Sequence, residues 1–184
     1  MSSSSCSHPQ KEHEKNVEKF QTQTKAQTKA MTTDEWKTFF KDYVQTRDFG
    51  QHNHSVSVCL YKNPKTKHKL VKKTFGKSQT KHFTSEIANL KHLKGCPFIP
   101  KLHHIDHENQ TLYLSYCGKR PTHMTREQKA DVKQKVEHLR NNYNISRNFW
   151  YVSHPGFPKR DNITLHHGEM KLIDFGPPWK IRRR

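Results

Sequence analysis

The sequence predicts an α+β fold in which helices alternate with short antiparallel strands, and three observations carry that expectation. Apolar spacing changes from a helical period to a period of two near Ser55, and returns to a helical period from Phe83. Two capping boxes, Thr32-Thr33-Asp34-Glu35 and Thr125-Arg126-Glu127-Gln128, mark helix starts. Turn residues such as Asn63-Pro64-Lys65 and His167-Gly168 separate the strand-like runs.

Residues 1–31 read as a disordered basic tail. Ser, Gln, Thr and Lys dominate it, and the tandem Gln23-Thr24-Lys25-Ala26, Gln27-Thr28-Lys29-Ala30 has no apolar face to bury against its ordering entropy. The folded part, 32–184, opens with a helix that carries Trp36, Phe39, Phe40, Tyr43 and Val44 at helical spacing. Val56, Val58 and Leu60 then alternate with polar neighbours as a strand, and residues 69–75 form its return partner. A second helix bears Phe83, Ile87, Leu90 and Leu93 on one stripe and stops at Gly95, with Pro97 just beyond. Two more strands follow, at residues 99–105 and 111–116. The helix opened by Thr125 places Val132, Val136 and Leu139 on one face and ends near Asn141-Asn142. An irregular stretch runs to Arg160, and a closing hairpin pairs residues 163–165 with 170–174.

Composition narrows the classes of function. The chain has 184 residues, a formal net charge of +18 and 30% hydrophobic residues. No apolar run approaches the length of a membrane-spanning helix, and the first residues, Met1 to Pro9, lack the apolar core of a secretory signal. Cys6, Cys59, Cys96 and Cys117 stand far apart, which suits free thiols in a reducing compartment; the expectation is an intracellular protein, cytoplasmic or nuclear, that is not secreted. The charge favours polyanionic partners, nucleic acid among them, as does the basic end Lys180, Arg182, Arg183 and Arg184. The runs His52-Asn53-His54 and His103-His104-Ile105-Asp106-His107 read as scattered surface histidines in preference to a metal site.

Two placements suggest chemistry. With the turn centred on Gly168, Asn162 and Asp174 meet on one face at the hairpin's open end, where an amide oxygen and a carboxylate suit Mg²⁺ carrying phosphate. Glu86 falls inside the apolar stripe of its helix, where a carboxylate is expensive unless it is paired. The preceding strand offers Lys72, on a face with Leu70 and Thr74, and Lys73, on the opposite face with Val71 and Phe75.

Together these residues resemble the protein-kinase family, from about Phe49 to Gly176. Leu70-Val71-Lys72-Lys73 is similar to the strand that carries the phosphate-binding lysine, and Ser85–Leu90 to the helix that supplies its glutamate. Phe98–Leu102 resembles the following strand, Leu112–Gly118 the strand and hinge, Lys159-Arg160-Asp161-Asn162 the end of the catalytic loop, and Lys171–Gly176 the Asp-Phe-Gly strand. The resemblance implies a small antiparallel-sheet N-lobe with one main helix, about 32–118 with the hinge, and a reduced, mostly helical C-lobe, 119–184, that ends shortly after Asp-Phe-Gly. It also implies ATP and Mg²⁺ as ligands. Lys72 would hold the α/β-phosphates, with Lys73 as the alternative if the register slips by one. Glu86 would orient that lysine, Asn162 and Asp174 would hold Mg²⁺, and Lys159 would sit near the transferred phosphate. Gly50 would belong to the phosphate-covering loop, Leu114 would be the gatekeeper, and Tyr116 and Cys117 would line the adenine site.

The sequence departs from that pattern at three places. The loop Gly50–Ser55 keeps one glycine, with Leu70 where a small residue roofs the adenine; Phe157 occupies the position of the catalytic aspartate; and the sequence stops eight residues after Gly176, so most of the family's lower lobe is expected to be missing. Loss of a general base removes about 10²–10⁴-fold of rate. The expectation is therefore a pseudokinase-like protein that binds ATP and Mg²⁺ with weak or absent Ser/Thr phosphotransfer. The alternative is a non-catalytic basic protein that docks on nucleic acid or an acidic partner. Short Lys- and His-rich chains of this kind resemble kinase-like proteins of large DNA viruses.

Overall fold

A computed structural model describes residues 31–50, 57–144 and 162–175. The element order is α1 (Thr33–Phe40), β1 (Val44–Asp48), β2 (Ser57–Lys62), β3 (Lys69–Thr74), a 3₁₀ turn at Lys77–Gln79, α2 (Thr80–His92), β4 (Leu102–Asp106), β5 (Thr111–Ser115), α3 (Arg126–Tyr143), β6 (Ile163–His166) and β7 (Glu169–Leu172). The α+β expectation holds at that level. The predicted tail, apart from Met31, and the stretch between Asn144 and Asn162 lie outside the described residues.

Five strands form one antiparallel sheet in the order β1-β2-β3-β5-β4, and β6 with β7 forms a separate hairpin. The sheet is covered on both faces. Opposed residues of an antiparallel pair share a face, so Val71 and Lys73 of β3 lie beside Leu114 and Leu112 of β5. That face meets the α2 stripe, where Phe83, Ile87, Leu90 and Leu93 are all buried in the main core with Phe75, Leu112 and Leu114. Val132 and Leu139 of α3 and Ile163, Met170 and Leu172 of the hairpin complete this core. The other face presents Leu70 and Tyr113 to Trp36 and Tyr43, a smaller cluster lidded by α1.

Helix α1 begins at its capping box, with Thr32 and Glu35 bonding each other's backbone N–H groups. It is shorter than its apolar spacing predicted. Lys41 caps it, and Val44 opens β1, an edge strand exposed along its whole length. With no buried alternation, β1 left no period-two signal to read. The second capping box starts α3, which ends with Asn144 in the left-handed conformation, φ 52°.

His103 and His104 are not surface histidines. A register shift between Leu102 and His104 puts two β4 residues against one of β5, so both rings turn toward α1. The His104 ring stacks on Trp36 at 4.9 Å between centroids, and His103 stands at 6.5 Å.

Candidate functional site

Strand β3 alternates, and that alternation decides which lysine meets the helix. Val71 and Phe75, the apolar neighbours two residues either side of Lys73, pack into the main core, so Lys73 faces α2. Its Nζ donates to Glu86 Oε2 at 2.7 Å and to Asp174 Oδ1 at 2.8 Å. Lys72 points to the opposite face, opposed by Cys59 on β2 and Tyr113 on β5. The lysine that pairs with Glu86 is thus Lys73, the alternative one residue along, and not Lys72.

Glu86 is 1% exposed, inside the core and not at the edge of the helical stripe. Burial pushes its carboxyl above the ordinary range, and the Lys73 ammonium pulls it back. Burial alone would discharge Lys73; the two carboxylates outweigh it and hold the ammonium charged well above its usual range. Removing either buried partner would strand the other as an uncompensated charge.

Asp174 reaches this pair from the hairpin. Its side chain is half exposed and its backbone is left-handed, φ 64°, a conformation that Asp tolerates better than most residues. The hairpin register differs by one from the expectation. Ile163 pairs with Leu172 and His166 with Glu169, around a two-residue turn of His167 and Gly168 with φ 50° and 84°. Two consecutive positive φ angles define the tight type I′ turn, which needs no central residue. Asn162 therefore lies opposite Ile173, whose N–H donates to the Asn162 carbonyl at 2.9 Å. The left-handed turn at Asp174 then sends that side chain toward Lys73 while the next residue, Phe175, is fully buried.

Helix α2 fixes both halves of this arrangement. Glu86 takes the lysine, and three residues later Asn89 donates from Nδ2 to the Phe175 carbonyl at 2.8 Å. Asn89 is 3% exposed. Sequence reasoning missed it, although the signal was the same as for Glu86: a polar side chain one turn along the buried side of the helix.

Of the other predicted positions, Leu114 is buried opposite Val71. Tyr116 is half-buried, with Lys69 Nζ 5.3 Å from its ring centre. Burial pushes the Cys117 thiol up, so it stays protonated, and its carbonyl accepts the Thr164 hydroxyl. Gly118 beside it has φ +93°, and a Cβ there would stand 2.0 Å from the Leu165 carbonyl oxygen. Lys119 and Leu165 exchange backbone hydrogen bonds of 3.2 and 2.8 Å, stapling the segment after β5 to the hairpin. Gly50, φ +83°, follows β1, and its N–H donates to Asp48 Oδ1 at 2.7 Å. Ser57 and Val58 pair with Thr74 and Lys73. Residues 51–56, Phe157 and Lys159 lie outside the described residues.

Among the described residues, no three His, Cys, Asp or Glu side chains converge as a metal cluster. With Asn162 opposite Ile173, the pairing of Asn162 with Asp174 on one face that pointed to Mg²⁺ is replaced, and of the two it is Asp174 that stands beside Lys73. No helix of the described residues is long and apolar enough to cross a membrane. No protein-family model matches the chain, and no curated protein matches it.

Proposed function

We propose that the chain is a protein-kinase-like nucleotide-binding protein that takes ATP with Mg²⁺ and transfers phosphate weakly or not at all. The observation that carries this reading is the buried bridge in which Lys73 is held between Glu86 and Asp174 at 2.7 and 2.8 Å. A charge cluster drawn from strand, helix and hairpin is costly to build in a core. It is suited to fixing an ammonium where polyphosphate arrives.

In this reading Lys73 neutralises the α/β-phosphates, Glu86 orients it, and Asp174 would hold Mg²⁺. The cation would supply charge neutralisation across the phosphates. With Lys73 as the site lysine, the residue two places before it is Val71 and not Leu70, which leaves a smaller side chain over the adenine. The backbone beyond Leu114, through Tyr116 and Cys117, offers the hinge, and its attachment to β6 fixes one wall. Phe157 stands where a base would accept the substrate hydroxyl's proton, and phenylalanine has no group that accepts one.

Thermal denaturation with and without ATP and Mg²⁺ tests the reading. A site filled to about 100 times its Kd gains about 2.7 kcal/mol. The expected rise in Tm is about 5–10 °C, lost in Asp174→Asn and absent with Mg²⁺ alone. Radiolabelled ATP should yield little or no phosphoprotein. An unchanged Tm at millimolar ATP and Mg²⁺ would remove the nucleotide from the account.

A further inference from the structure

Helix α2 divides its charges between two sides. Its one acid, Glu86, is turned inward and neutralised by Lys73. Outward, Lys77, Lys81, Thr84, Ala88, Lys91 and Lys94 follow one another at intervals of three and four, and all are exposed. This run covers one helical face, with Lys77 in the preceding 3₁₀ turn and Lys94 just past the last turn. The helical part from Lys81 to Lys91 alone extends about 15 Å.

The other helices are built differently. On α1, Lys37 pairs with Asp34, and on α3, Lys135 pairs with Asp131 and the helix also carries Glu127 and Glu137. None of Lys77, Lys81, Lys91 and Lys94 makes an ion pair among the described residues. The neighbouring β4–β5 turn reaches the helix through Gln110 and His107. It contributes one acid, Glu108, while Asp106 is tied to Asn109. The α3 end that meets His92 through the Tyr143 carbonyl adds Arg140, another cation. Like charges at this spacing repel one another, so the face is relieved by an anion that follows its length.

We infer that the outer face of α2 is a docking strip for the phosphodiester backbone of double-stranded nucleic acid, read without regard to base sequence. Small side chains at Thr84 and Ala88 leave room for a sugar–phosphate strand between the lysines. The face has no aromatic ring for stacking unpaired bases and no large apolar side chain to enter a lipid surface. The strip lies on the side of α2 opposite the Lys73 bridge, so this inference stands apart from nucleotide binding.

The test is fluorescence anisotropy of the full chain with two duplex DNAs of unrelated sequence, from 50 to 300 mM KCl. The comparison variant is Lys77→Gln/Lys81→Gln/Lys91→Gln/Lys94→Gln. A control of equal charge loss is Lys65→Gln/Arg126→Gln/Lys129→Gln/Lys133→Gln. Each phosphate contact contributes about 0.9 to the slope of log K against log salt. The α2 variant should therefore lose about 3–4 in slope for both duplexes, and the control less than half of that. Should the fourfold variant not fold by circular dichroism, Lys81→Gln/Lys91→Gln should still lose about 2. Equal losses in both variants, or an undiminished slope in the α2 variant, would overturn the strip. So would an α2 variant that loses binding to phosphatidylserine vesicles or polyglutamate but keeps its affinity for DNA.

Discussion

Lys72 and Lys73 are neighbours of the same chemistry, and burial separates them. Period-two alternation separates the two faces but does not say which one meets the helix, because both flanking sets contain an apolar residue. Leu70 is buried on Lys72's face because α1 covers that side. Val71 and Phe75 on the other face are the stronger pair, and that asymmetry was the legible hint. The energetic consequence is specific. Lys73→Met leaves Glu86 buried beside no cation, at a cost of about 3–5 kcal/mol, whereas Lys72→Met should change stability by less than about 1 kcal/mol. Urea unfolding at pH 7 checks both. The Lys73→Met deficit should shrink as pH falls, because Glu86, already pushed up by burial, then takes a proton and becomes neutral. A Glu86→Gln change in the same chain should recover a large part of the loss. Equal effects at positions 72 and 73 would sink the bridge as an energetic feature.

At the scale of elements, helices announced by capping boxes were legible, and so was the stripe of α2. Strand β1 and the shift in the hairpin were not. The first has no buried face, and the second depends on whether the turn centres on one residue or between two, which His167 accommodates only by adopting φ 50°. The staple between Lys119 and Leu165 was equally hidden, since it joins segments far apart in sequence. Gly118→Ala tests it: the new Cβ meets backbone atoms of Leu165 at 2.0 and 2.5 Å in a left-handed conformation. Destabilisation of more than about 2 kcal/mol is expected, against about 1–2 kcal/mol for Gly50→Ala, which bears only the strain of its positive φ because nothing lies within 4 Å there.

The docking of α1 supplies a pH dependence. His103 is held down to about 4 by burial, then by Lys101 and His68. Its other neighbours are the Trp36 ring and the His68 ring; His68 in turn meets the Tyr43 hydroxyl at 2.6 Å. The folded state keeps this ring neutral while the unfolded chain protonates it near 6.5. Unfolded chains thus bind more protons between those values, and stability is complete above about pH 6.5 and declines as pH falls toward 4. The urea midpoint should drop between pH 7 and pH 5, and His103→Gln should flatten that decline. An unaltered slope in the variant would place the acid sensitivity elsewhere.

At the scale of the whole molecule, the charge of +18 is shared by folded and unfolded chains, but the folded state holds the charges closer. The sequence showed the total and not its distribution. Helix α1 and α3 interleave acids with their lysines, while the outer face of α2 does not. Self-repulsion should therefore be concentrated where Lys77, Lys81, Lys91 and Lys94 stand exposed. Salt shortens the screening length from about 30 Å at 0.01 M to about 8 Å at 0.15 M. Raising KCl across that range should raise Tm, because it relieves repulsion between exposed lysines more than it weakens the buried Lys73–Glu86 pair. Replacing the four α2 lysines with glutamine should raise the low-salt Tm by an amount corresponding to a few tenths of a kcal/mol per relieved pair. It should also reduce the salt dependence. Scanning calorimetry of both proteins at the two salt levels decides the matter. A Tm that falls with salt, or a variant with an unchanged dependence, would mean that favourable ion pairs dominate the balance and that the α2 face is not where the repulsion resides.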